Sequence, residues 1–233
     1  MLLGCVPRRK ETLKVMAGYI YLPIATEEMR HFARDWQEGQ REKGKQPYEV
    51  LKNFESGWRK GFVRGIGRGV LRGVTAQDKL YVLCHGAGQG SSFIGASRGA
   101  KRSDGPIETW EGGTLKRYSP NELAAVVEKE GLLKSFVDLR LFVCGSGLVP
   151  PNQTQSFAER FALAMGGLGY NHLLVKGYLG SVKPSYTYRQ VGVGYTEGKH
   201  KGVEFDHGMA RPSEHNLVFS SQPNVMVPAD VGL

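Results

Sequence analysis

Two apolar runs constrain this chain more than anything else in it. Residues 79–86 read Lys-Leu-Tyr-Val-Leu-Cys-His-Gly and stop at His85-Gly86, and residues 139–147 read Leu-Arg-Leu-Phe-Val-Cys-Gly-Ser-Gly and stop at Cys144. Each has the length and the β-branched and aromatic content of a strand buried on both faces and closed by a glycine turn. Residues 17–24, closed by Pro23, and residues 172–178 read as two further strands. Helix signals lie between them. Thr26 caps the first, with Glu27 and Glu28 early and Met29, Phe32, Ala33 and Trp36 as its apolar face; residues 43–47 break it. Ser119-Pro-Asn-Glu122 opens a second that runs to about Lys129, and a third spans roughly Gln155–Met165.

Strand, helix, strand at this spacing implies right-handed crossovers. The expected fold class is α/β: a three-layer α/β/α sandwich around a mostly parallel central sheet. Past Pro184 the texture changes to short, glycine-rich strand signals, so residues 184–220 read as a small C-terminal β-rich extension. Residues 1–15 read as an N-terminal tail and 16–233 as a single domain. Residues 95–117 read as a long surface loop, and the stretch after Arg211 as loosely patterned.

If the strands ending at His85 and Cys144 are parallel members of one sheet, their carboxyl ends share an edge, where open α/β sheets place their sites. An imidazole beside a thiol can make a thiolate nucleophile with its own general acid/base. The plainer alternative is a buried structural Cys144 and a strand-end His85 bonded to a carbonyl. Cys84 precedes His85 and should point to the opposite face. Asp138 and Asp104 are the candidate orienters of His85.

From Gly57 the chain repeats in fours, which on a helix would stack Lys60, Arg64, Arg68 and Arg72 in one stripe beside a stripe of glycines. Either the glycines allow close approach to the sheet with the cations in solvent, or the stripe binds an anion. With 31 Lys and Arg against 22 Asp and Glu, the net charge of +9 favours an acidic partner or surface. Three cysteines without metal spacing give no disulfide framework and no metal site, and point to a reducing compartment. No apolar run approaches the ~20 residues of a membrane helix, and the first ten residues lack the pattern of a secretory signal. No transmembrane segment and a cytoplasmic location are therefore expected.

The strand into His85-Gly86, the strand into Cys144 59 residues later, and the helix and strand that follow resemble the clan CD cysteine peptidases, the superfamily of caspases, gingipains, legumains, separases and toxin protease domains. The resemblance covers about residues 78–182, and is nearest to the cysteine protease domains of bacterial toxins and effectors. It implies a caspase-like fold and a cysteine endopeptidase that cuts a protein substrate, this chain itself included. By it, His85 is the general acid/base, Cys144 the nucleophile, and the N–H groups of Gly86 and Cys144 the oxyanion hole. The S1 pocket falls to residues 177–188 and 91–105. No cofactor is required; inositol hexakisphosphate is the activator that the basic stripe would suit. The basic charge and toxin-like segment suggest a virulence effector secreted into a target cell.

Two features depart from the family: Val143 stands where a small residue is usual, and the Gln-Ala-Cys-Arg-Gly signature is absent. One rival is an α/β-hydrolase-like esterase with His207 or His215 as its base, although neither Cys144 nor Ser146 has the flanking glycines of a nucleophile elbow. The other is a non-catalytic module that holds anionic lipid, inositol phosphate or nucleic acid through its basic helix.

Overall fold

Three side-chain hydroxyls set where the helices begin. In a computed structural model describing residues 16–53, 69–97, 100–102, 109–111, 115–184, 188–191, 194–197, 201–205 and 208–222, Thr26 Oγ1 accepts from Met29 N–H (3.3 Å) and opens α1 (Glu27–Glu42). Ser119 forms a full capping box with Glu122 at the start of α2 (Pro120–Lys129), and Ser156 Oγ accepts from Glu159 N–H (3.1 Å) at the start of α3 (Phe157–Gly167). Each cap contributes about 1 kcal/mol against alanine, so the boundaries are fixed by local chemistry.

The strands, in chain order, are β1 (Gly18–Leu22), β2 (Glu49–Lys52), β3 (Lys79–Leu83), β4 (Ile94–Ser97), β5 (Ala100–Arg102), β6 (Thr109–Glu111), β7 (Leu115–Tyr118), β8 (Asp138–Phe142) and β9 (Leu174–Tyr178). β10 (Ser181–Lys183), β11 (Tyr188–Val191), β12 (Gly194–Glu197), β13 (Gly202–Phe205), β14 (Gly208–Ala210) and β15 (Asn216–Ser220) follow. Six of them make the central sheet, in the order β15-β9-β8-β3-β1-β2. All neighbours pair parallel except β15, which runs antiparallel to β9. The fold is α/β with a mostly parallel sheet, as the alternation of signals implies.

The two sheet faces carry different helices. Tyr81 and Phe142 receive Trp36 of α1, with ring centres 5.0 and 4.5 Å away, and Trp36 is fully buried. On the opposite face Gly177 lies against Ala158 of α3, and α3 packs on α2. Removing a side chain like Trp36 from such a core costs roughly 3–5 kcal/mol.

Several elements differ from the sequence expectation. Of the stretch after Arg211, the described residues 212–222 are not loose: they supply β15 and complete the central sheet, while β10, β13 and β14 form a separate three-stranded unit. The presumed loop at 95–117 carries strands, β4 pairing antiparallel with β7, and Ile94 and Ala96 alternate into the core. The end of the glycine repeat is a turn, not helix: Gly69 has φ +102°, Arg72 N–H donates to Gly69 O, and Leu71 is fully buried. Leu71 and Val70 tie this turn to the end of α2 through Glu130.

Across β3, β8 and β9 the α1-covered face holds a buried polar group. Asp138 grips Arg140 through two contacts (2.9 and 2.5 Å), and Arg140 donates to Tyr81 Oη (2.8 Å). Burial pushes the Asp138 carboxyl up, but the hydrogen bonds and charge of Arg140 outweigh it and hold the carboxyl below its ordinary value. Lys201 Nζ lies 2.5 Å from Tyr81 Oη and 4.1 Å from the centre of its ring. Burial, helped by Arg140, Lys79 and Lys45, pushes the Lys201 amine well below its ordinary range.

A depressed lysine means that the unfolded chain binds the proton the native chain refuses, so stability rises with pH in the window between the native value and the ordinary lysine value. Lys201→Met should flatten that rise, by up to about 1.4 kcal/mol per pH unit inside the window. Urea unfolding at a series of pH values on the alkaline side of neutrality checks this; an unchanged slope would show that Lys201 stays charged in the native protein.

Candidate active site

The register of β3 against β8 decides what meets at the sheet's carboxyl edge. Every pair from Lys79↔Asp138 to Leu83↔Phe142 carries an offset of 59 residues. His85 and Cys144 are separated by the same 59, and each follows its strand by two residues, so both leave the carboxyl ends of neighbouring parallel strands. Tyr81, Leu83 and His85 share one parity, and the contacts of His85 with Glu28 and Phe32 keep it on the α1-covered face; Cys144 lies beyond β8, in the turn that follows it. Cys84 has the other parity and is buried, and burial raises its thiol pKa, which makes it unreactive.

His85 is held by its backbone. Its N–H donates to Gly95 O (2.8 Å) and its carbonyl accepts from Gly95 N–H (3.0 Å), which ties the end of β3 to β4. The imidazole Nε2 lies 2.9 Å from Glu28 Oε1, and the ring stands edge-on to Phe32 at 5.8 Å. The histidine side chain is 44 % exposed and that of Glu28 8 %. Glu28 sits in the first turn of α1, where the helix dipole favours a carboxylate.

After β8 the chain turns tightly through residues 143–148. Ser146 is fully buried, its Oγ donating to Leu141 O (2.9 Å) and accepting from Tyr178 N–H (3.0 Å). That hydroxyl is a clamp and is sealed from any substrate. Gly145 N–H donates to Gly180 O and Gly147 N–H to Tyr178 O (both 2.9 Å), which docks the turn on the end of β9. The loop after His85 lies directly over it. A side chain at Gly86 would meet Cys144 O at 2.5 Å, and one at Gly145, φ +59°, would meet Ala87 O at 2.2 Å. Ala87 N–H is committed to Ser91 Oγ, 2.5 Å away.

A cleft of about 410 Å³ opens beside His85, with Gly86, Ser91, Phe93, Ile94 and Arg117 among its walls. Phe93 is half-exposed there, so the cleft offers an apolar wall and one guanidinium. Part of the segment expected at S1, residues 91–95, therefore lines a cavity, and residues 177–180 border the Cys144 turn.

Other expected site residues lie elsewhere. Asp138 does not reach His85: it begins β8, six residues before Cys144, or roughly 20 Å of strand, and its carboxylate is spent on Arg140 and Lys176. Asp104, Lys60, Arg64, Arg68 and His207 fall outside the described residues. Arg72 is exposed, in the turn beside α2, and His215 stacks on Phe205 at 4.4 Å. Glu28 is the residue that the sequence reading missed. Its signal was an acid four residues before Phe32, on the buried side of an amphipathic helix. Among the described residues no group of three or more His, Cys, Asp or Glu could hold a metal, and no helix is long and apolar enough to cross a membrane.

No family model, no curated protein and no solved structure matches the chain.

The crossing of the two loops gives a direct test. Gly145→Ala combines a left-handed backbone with a clash against a carbonyl, and should destabilise by about 2 kcal/mol or more and loosen the Cys144 turn. Gly88→Ala would meet only Ser181 Oγ at 3.3 Å and should be tolerated. Urea midpoints and the rate of Cys144 alkylation check both; equal behaviour of the two variants would mean that the crossing is not tight.

Proposed function

We propose that this chain is a cysteine endopeptidase of caspase-like type, with Cys144 as nucleophile and His85 as general acid/base. One observation carries the reading: β3 and β8 are parallel neighbours whose constant offset equals the spacing of His85 and Cys144. The catalytic core would be about residues 78–182 of a single domain spanning 16–233.

In the proposed reaction, His85 takes the thiol proton and Cys144 Sγ attacks the carbonyl carbon of the scissile bond. The N–H groups of Gly86 and Cys144 receive the oxyanion; those of Ala87 and Gly145, spent on Ser91 and Gly180, do not. Collapse of the adduct breaks the C–N bond, and His85 gives its proton to the departing amine. Water, deprotonated by His85, then opens the thioester to a carboxylic acid, and the proton returns to sulfur. Each oxyanion donor is worth roughly 3 kcal/mol on the usual mutational scale.

The substrate would be a protein, bound with one side chain in the cleft beside His85. An effector that works in the reducing cytoplasm of a target cell suits the free thiol and the +9 charge. Inositol hexakisphosphate, or another anionic partner, would act through the basic stripe Lys60, Arg64, Arg68 and Arg72.

Acyloxymethyl ketones of varied P1 residue, with and without inositol hexakisphosphate, test the reading on the full chain. Labelling should occur at Cys144 and be absent in Cys144→Ala, and His85→Ala should lower peptide cleavage by ~10³-fold or more. Labelling at another cysteine, or cleavage that survives in Cys144→Ala, overturns the assignment.

A further inference from the structure

Glu28 is the group at this rim whose burial asks for a reason. Its side chain is 8 % exposed, Oε1 lies 2.9 Å from His85 Nε2, and Oε2 is buried with no hydrogen-bond partner among the described residues. Taking a carboxylate out of water costs several kcal/mol unless a partner compensates. An ion pair that only anchored α1 would gain most from a partner equally shielded, as Asp138 has in Arg140. Glu28 instead meets a ring that is 44 % exposed and forms a wall of the cleft.

The strand order puts the element before α1 and the element before Cys144 on opposite sides of β3. In the sheet β1 and β8 flank β3, and α1 follows β1 directly. Glu28 comes from the helix that follows β1, and Cys144 from the turn that follows β8. Phe32, edge-on at 5.8 Å with planes 86° apart, limits how the imidazole can turn. A ring held at one nitrogen from one side presents its other nitrogen to the opposite side.

We propose that Glu28 is the positioning residue of the reaction assigned above: it keeps a proton on His85 Nε2, so that Nδ1 is the nitrogen facing Cys144. The inference rests on the cysteine-peptidase reading and adds to it a tautomer and a third member. An ionised carboxylate only accepts, so the proton it shares stays on the ring. Nδ1 takes the proton from Cys144 Sγ and gives it to the departing amine, while Glu28 remains a carboxylate throughout and stabilises the imidazolium between the two transfers.

The test uses the full chain with ¹⁵N-labelled histidine, and follows the His85 ring nitrogens by NMR beside peptide cleavage. Wild type should show Nε2 protonated and Nδ1 bare. Glu28→Ala should mix the tautomers and lower kcat roughly 100-fold with KM little changed, short of the ~10⁴ for a fully buried triad carboxylate because this ring is partly in water. Glu28→Gln puts in an amide that can donate to Nε2 as well as accept from it, so it should lift the tautomer preference and lose kcat; being isosteric, it also serves if the alanine variant fails to fold. An unchanged tautomer and unchanged kcat in Glu28→Ala, with Cys144→Ala inactive, overturn the inference and leave the peptidase standing. Full cleavage by Cys144→Ala overturns both.

Discussion

The ladder between β3 and β8 keeps one register along its whole length, from Lys79↔Asp138 to Leu83↔Phe142, and so sets where the two strands reach the rim. A slip of one residue would turn every side chain of one strand to the other face. Here the slip carries a specific penalty. Tyr81 and Arg140 are direct ladder partners, and Arg140 donates to Tyr81 Oη while it is gripped by Asp138. Sliding β8 by one would send a guanidinium and a carboxylate towards the face where Leu80, Val82 and α3 pack. Unpaired buried charge costs more than any single strand contact gains. A polar staple in mid-sheet thus sets which atoms can meet at its end.

Above the staple, close packing replaces side chains with backbone. Gly86 lies against the Cys144 carbonyl, Gly145 against those of Ala87 and Gly88, and Gly147 against Gly177. Two loops and the end of β9 cross with nothing between them, and Ser146 seals the crossing from within. The backbone around Cys144 is therefore closely packed and hydrogen-bonded, while His85 keeps nearly half of its side chain in solvent. For the proposed reaction, donors fixed by such packing beside a solvent-facing imidazole would supply electrostatic preorganisation.

The parts legible in the sequence were those fixed by short-range chemistry. Thr26 and Ser119 cap the helices they were expected to cap, because a cap needs only its own first turn. β3, β8 and β9 bury residues on both faces and so read as near-continuous apolar runs, interrupted at Arg140 and Lys176. β15 was missed because it is an edge strand with Leu217 in solvent, and β2 because charged residues stand at both of its ends. The pairing of Glu28 with His85 was hidden for another reason: Glu28 looks like an ordinary complement to the helix dipole until α1 is laid across β3. Asp138 misled in the reverse way, since nearness in sequence to Cys144 conceals which end of the strand it occupies.

β15 has a consequence for how the molecule is made. The sheet grows by parallel strands up to β9, whose far edge then has no partner until residues 216–220 arrive. During synthesis that edge, with Leu173 and Val175 among its neighbours, is a template to which any passing extended segment could add. The antiparallel return closes it and is tied to the α3–β9 connection, since Ser221 donates from its N–H to Leu173 O and from its hydroxyl to Tyr170 O. The last described segment thus covers the edge of the strand beside the Cys144 turn, and the sheet is left with β15 rather than β9 as its outer strand on that side.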